Sequence, residues 1–142
     1  MGNRINMSFF KAYIELDKAC AEKLDEHKKS GVSAYIGRLV ELRFAPERSE
    51  VLPKLIKYRN FRNAMAHEEN AFADISEISK EDVKWITRFT KSVNQKHDPV
   101  SRYERKARNY ALWRKIRVIL FAVLGVGFVV AAYFILKTLG IV

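Results

Sequence analysis

Between Val118 and Leu136 the chain reads VILFAVLGVGFVVAAYFIL, nineteen residues without a single charge. At a rise of about 1.5 Å per residue such a helix is about 28 Å long, close to the hydrocarbon thickness of a bilayer. Its position near the C-terminus argues against a secretory leader. Burial in a soluble core fails on size, because the ~100 residues before the run are too few to enclose a helix that is apolar all round. The sequence therefore predicts a single transmembrane helix over 118–136, a short tail over 137–142, and at most one soluble domain ahead of them.

Charge orients this arrangement. The 142 residues carry a formal net charge of +10, and most of the excess sits just before the apolar run. From 101 to 142 there are eight basic residues and one acid, Glu104, whereas 1–100 hold eighteen basic and fifteen acidic residues. Basic residues flanking a span stay on the cytoplasmic side and attract anionic headgroups. The expected location is the cytoplasmic membrane, single-pass, with the N-terminal domain in the cytoplasm. Tyr103, Tyr110 and Trp113 interleave with the basic residues. The plainer role of this segment is orientation and lipid contact, with added RNA affinity as the alternative.

The part before the span reads as all-α. Strict apolar alternation is short, and Asn-Gly or Asp-Gly hairpin turns are absent. Phe9, Phe10, Tyr13, Leu16, Cys20 and Leu24 recur at three- and four-residue steps and predict a helix from about Ser8 to Lys29, with Gly31 as its stop. Ser33 is expected to cap a second helix to about Phe44 with Ile36, Leu39 and Val40 on its apolar side, ended by Pro46. A third helix is expected from near Ser49, with Pro53 in its first turn and Leu52, Leu55, Ile56 and Met65 buried. Glu68 to Asp74 lack a period and read as a loop. Ser79, followed by Glu81 and Asp82, caps a fourth helix with Val83, Ile86, Phe89 and Val93 inward. The break at His97-Asp98-Pro99 marks the boundary between a helical domain, 1–98, and a basic juxtamembrane helix, 99–117, that runs uninterrupted into the span.

The lone Cys20 permits no internal disulfide, in agreement with a reducing compartment. His27, His67 and His97 stand thirty or more residues apart without zinc-ligand companions, so neither a metal nor any other cofactor is expected.

Chemistry is expected at Arg62-Asn63-Ala64-Met65-Ala66-His67. A histidine moves protons near neutral pH, and a guanidinium suits phosphate oxygens, so together with an amide they suit metal-free phosphodiester chemistry. On a helical wheel Arg59, Asn60, Asn63 and His67 crowd one side, while Arg62 stands about 140° from His67. That separation argues for a site completed by a second copy of the helix. In plainer roles, His67 is a helix C-cap and Arg62 pairs with Glu68 or Glu69.

The segment Leu55-Ile56-Lys57-Tyr58-Arg59-Asn60-Phe61-Arg62-Asn63-Ala64-Met65-Ala66-His67 resembles the signature helix of HEPN domains, small helical bundles with an arginine, usually a polar follower, and a histidine after four to six intervening residues. Arg62, Asn63 and His67 match these positions, and the resemblance covers roughly residues 8–96. It implies a four- to five-helix bundle and a metal-independent endoribonuclease whose two motifs meet at a homodimer interface, as in toxin–antitoxin and phage-defence systems. It also implies a possible antitoxin or sensor protein as partner. On that basis His67 would transfer protons, Arg62 would stabilise the phosphorane charge and Asn63 would orient the phosphate or the imidazole. Cleavage would leave 2′,3′-cyclic phosphate ends and would spare DNA, which lacks the 2′-hydroxyl. Lys57, Arg59 and Asn60 are the candidate RNA-binding residues, with Lys57 and Arg59 offsetting Glu68 and Glu69. The competing expectation is a non-catalytic, membrane-anchored interaction module, either adaptor or sensor partner.

Overall fold

In a computed structural model of the chain, residues 2–26, 29–67 and 78–140 are described. Among them every regular element is a helix: α1 (Gly2–Leu24), α2 (Gly31–Glu41), α3 (Arg48–His67), α4 (Lys80–Asn94) and α5 (Pro99–Thr138). Two compact units divide the chain, residues 1–104 and 105–142. The expected loop over Glu68–Asp74 and the side chain of His67 lie outside the described residues.

In the first unit α1 is the central helix and packs most extensively on α4 and α2, while α3 packs mainly on α2. Phe9, Leu16 and Cys20 of α1 are fully buried with Val32, Tyr35 and Leu39 of α2, Leu55 of α3 and Ile86 of α4. Aromatic rings tie the helices together: Phe9 of α1 meets Tyr58 of α3 edge-on at 5.6 Å, and Tyr35 of α2 meets Phe89 of α4 edge-on at 5.7 Å. The heptad-like spacing in α1 and α4 anticipates much of this core. In α2, however, Val40 is half exposed and Tyr35 is buried instead, and in α3 Val51 and Tyr58 lie deeper than Leu52 and Ile56.

The helix ends differ from those expected, for local reasons. α1 begins at Gly2, earlier than Ser8, and stops at Leu24 without glycine. Asp25 adopts the left-handed conformation (φ 52°), and the Glu26 amide returns to the Ala21 carbonyl at 3.0 Å, which closes the last turn. Gly31 therefore does not stop α1 but opens α2, and the cap is Ser30 rather than Ser33, because the Ser33 amide donates to Ser30 Oγ. At the far end α2 stops at Glu41, short of Phe44. α3 starts at Arg48, so Pro53 falls in its second turn on the exposed side. α4 starts as expected: Ser79 accepts from the Asp82 amide while Asp82 accepts from the Ser79 amide at 2.8 Å, a reciprocal capping box.

Gly31 has a second role. A Cβ there would stand 2.0 Å from the Asp17 carbonyl and 2.4 Å from the Ala21 amide, so α2 begins directly against the α1 backbone.

The first unit extends past the Asp98-Pro99 break. Pro99, Val100 and Ser101 are buried in it, and Asp98 is 1 % exposed. Arg38 reaches Glu104 at 3.2 Å, and Arg102 pairs with Glu47, which joins α2 and the α2–α3 turn to the base of α5. In the second unit residues 105–140 are exposed apart from a partly covered Ala132. Among the described residues an 18-residue stretch of α5 reaches a mean hydropathy of 2.7 and has no buried residue, so α5 is long and apolar enough to cross a membrane.

Candidate functional site

α3 carries its polar residues toward α1 and the N-terminus of α2. Arg59, Arg62 and Asn63 line one side of a cleft of about 340 Å³; Tyr13, Ile14, Asp17 and Lys18 of α1, with Ser30 and Ser33 at the start of α2, line the rest. The helical period explains the α3 wall, since positions three and four apart share a face. Arg62 Nη1 donates to Asn63 Oδ1 at 3.4 Å, a weak contact, and both side chains are exposed. Among the described residues Arg62 forms no ion pair.

Opposite stands Asp17. Its Oδ1 accepts from Ser30 Oγ at 2.5 Å and from the Val32 amide at 2.9 Å, so a carboxylate of the chain itself serves the first turn of α2. Lys18 points to Glu22 at 3.9 Å, an exposed pair of little strength. Burial and the Asp17 charge push the Tyr13 phenol up to about 12, against the opposing influence of Ser30, Arg62 and Arg59. Tyr13 is thus a neutral hydroxyl at any ordinary pH, and the three cations Lys18, Arg59 and Arg62 outnumber the single acid of the cleft.

Of the six residues singled out from sequence, this cleft gathers Arg59, Arg62 and Asn63. Lys57 stands elsewhere, its ammonium 5.2 Å from the Phe61 ring, and Asn60 is exposed outside the cleft. The wheel grouping of Asn60 with Arg59, apart from Arg62, is therefore not the grouping that the cleft makes. His67 is the last residue of α3, one turn beyond Asn63. Asp17 and Ser30 escaped the sequence reading, and Tyr13 and Ser33 were expected only as a core residue and a helix cap. The signal that reveals them is the Ser30-Gly31 pair, which reads as cap and close approach once α1 is known to stop at Leu24.

A second polar cluster lies within the core. Asp98 Oδ1 accepts from the Tyr35 hydroxyl at 2.6 Å and from the Ser101 amide at 3.2 Å, and its Oδ2 lies 3.2 Å from Lys23 Nζ. That last contact is an ion pair whose geometry falls short of a hydrogen bond. Lys23 also donates to Ser101 Oγ. Burial raises the Asp98 carboxyl, but the Ser101 and Tyr35 hydrogen bonds and the Lys23 charge prevail and hold it below the usual carboxylate range. Asp98 Oδ1 caps the first turn through the Ser101 amide while Oδ2, which accepts no hydrogen bond, is balanced by the Lys23 charge, so the cluster reads as the N-terminal anchor of α5. Among the described residues no three His, Cys, Asp or Glu side chains gather as a metal site would require.

A protein-family model described as "Family of unknown function (DUF6548)" matches residues 7–119, most of the first unit and the basic segment of α5. Neither a curated protein nor a solved structure matches the chain.

Proposed function

We propose that this chain, which belongs to the DUF6548 family, is a membrane-anchored, metal-independent endoribonuclease of HEPN type, acting as a homodimer in a toxin or phage-defence role. The observation that carries the reading is the grouping of Arg59, Arg62 and Asn63 on one cleft, one helical turn before His67. Two guanidiniums on a wall without an acid of its own suit the phosphates of a polyanion.

In this reading the 2′-hydroxyl of the RNA attacks the adjacent phosphorus. The imidazole of one His67 takes its proton, and the P–O5′ bond breaks as the leaving oxygen receives a proton from the His67 of the second protomer. Arg62 stabilises the charge of the phosphorane, Asn63 holds a phosphate oxygen, and Arg59 binds the flanking phosphate. The products are a 2′,3′-cyclic phosphate and a 5′-hydroxyl. The apolar part of α5 tethers the enzyme to the cytoplasmic membrane, with the first unit on the cytoplasmic side as the flanking cations favour.

The test uses the full chain in lipid nanodiscs with a short RNA and the DNA of the same sequence. Cleavage of RNA alone with cyclic phosphate ends, lost in both His67→Ala and Arg62→Ala, is the expected result. Cutting that persists in both variants, or is absent from the wild type, ends this reading. Asp17 favours a second one, because a carboxylate facing the two arginines suits a protein partner that offers both charges. An anchored adaptor of this kind leaves RNA intact.

A further inference from the structure

The basic segment of α5 has its own organisation along the helix axis. Arg105, Lys106, Arg108, Arg114, Lys115 and Arg117 are all exposed and no acid intervenes between Arg105 and Arg117. Measured back from Val118 at about 1.5 Å per residue, Arg117 stands about 1.5 Å, Arg114 about 6 Å and Trp113 about 7.5 Å from the start of the apolar run. Arg108 and Lys106 stand about 15 and 18 Å from it. The polar layer of a bilayer is only about 5–8 Å deep on each side. A tilt of about 20° shortens these heights by only a few per cent. The side chains, which lean toward the helix N-terminus, draw the outer cations further from the hydrocarbon. The six cations therefore form two tiers, one level with lipid phosphates and one beyond their reach.

We propose that Arg114, Lys115 and Arg117, with Trp113 beside them, form a binding collar for anionic phospholipid headgroups. Three cations spread over roughly 160° of the helix circumference, so they meet several lipids rather than one. Trp113 is 64 % exposed, and an indole at this height has the amphipathic character of the interfacial belt. Charge complementarity names the occupant, since positive side chains at phosphate depth exchange neutral lipids for anionic ones. Lys106 and Arg108 act on the same leaflet only through the screened field, which decays over about 8 Å at physiological salt. This proposal rests on the reading of 118–136 as a span.

Electron spin resonance with spin-labelled lipids tests it on the full chain reconstituted in phosphatidylcholine vesicles. A motionally restricted component from labelled phosphatidylcholine reports the span itself. The expected result is a several-fold preference for labelled phosphatidylglycerol over labelled phosphatidylcholine that survives high salt. It falls to near one in the Arg114→Gln/Lys115→Gln/Arg117→Gln variant and persists at high salt in Lys106→Gln/Arg108→Gln. Equal association of the two lipids in the wild type, or an undiminished preference in the triple variant, overturns the collar while leaving the anchor standing. Absence of any restricted component overturns both.

Discussion

The Tyr35 hydroxyl donates to Asp98 at 2.6 Å and so joins α2 to the residue that precedes α5 across 63 positions of sequence. Removing the charge with Asp98→Asn leaves Lys23, whose side chain is only 13 % exposed, without its counter-ion. We expect a loss of about 3 kcal/mol, the cost typical of breaking a buried pair from one side. Tyr35→Phe leaves the pair intact and is expected to cost about 1 kcal/mol. Denaturant unfolding of the three proteins measures both.

The same carboxyl gives the fold an acid dependence. Its folded pKa lies below the ordinary value, so its contribution is complete above the unfolded pKa of about 3.9 and is lost as pH falls through the folded one. Thermal melts between neutrality and strong acid should show the wild type converging on Asp98→Asn at the acid end. A gap between the two that stays constant over that range refutes the assignment.

Two glycines on α2 predict opposite outcomes. Gly31→Ala forces a methyl into the Asp17 carbonyl and the Ala21 amide, both backbone atoms, and is expected to destabilise by more than about 2 kcal/mol. At Gly37 nothing lies within 4 Å of the added carbon, and Gly37→Ala is expected to stabilise by about 0.5–1 kcal/mol through helix propensity. The shift in melting temperature should therefore differ in sign between the two variants.

At the start of α4, Ser79→Ala removes one half of the capping box and is expected to cost about 1 kcal/mol. Asp82→Ala is expected to cost more, because the same carboxylate accepts the Tyr58 hydroxyl at 2.8 Å. A double-mutant cycle between Tyr58→Phe and Asp82→Ala should return a coupling of about 0.5 kcal/mol or more.

The exposed side chain of Arg62 separates binding from folding. Arg62→Gln should leave the unfolding transition within about 0.5 kcal/mol of wild type. If the cleft holds single-stranded RNA, the slope of log affinity against log salt should fall by about 0.7 for each arginine neutralised, at Arg59 as at Arg62. Fluorescence anisotropy with a labelled oligonucleotide over a salt series reads this directly, and an unchanged slope removes the two arginines from any phosphate contact.

Much of the helical layout is legible in the linear order because it depends on short-range rules. The 3.6-residue period marks Phe9, Tyr13, Leu16 and Cys20 as one face, and Ser79 with Asp82 states a helix start in four residues. The nineteen uncharged residues from Val118 set a length that membranes demand. The Arg59–Asn63 portion of the cleft was likewise visible, because residues four apart on one helix face are a matter of arithmetic.

What only the tertiary structure decided lies between elements. Asp98 reads as a chain breaker until Tyr35, Lys23 and Ser101 are brought round it, and Gly31 reads as a stop until the α1 backbone lies 2.0 Å from its missing methyl. Asp17 gives no local sign that its carboxylate serves the first turn of α2 and faces the arginines of α3. Such roles arise from contacts between residues distant in sequence, and no propensity or period carries that information.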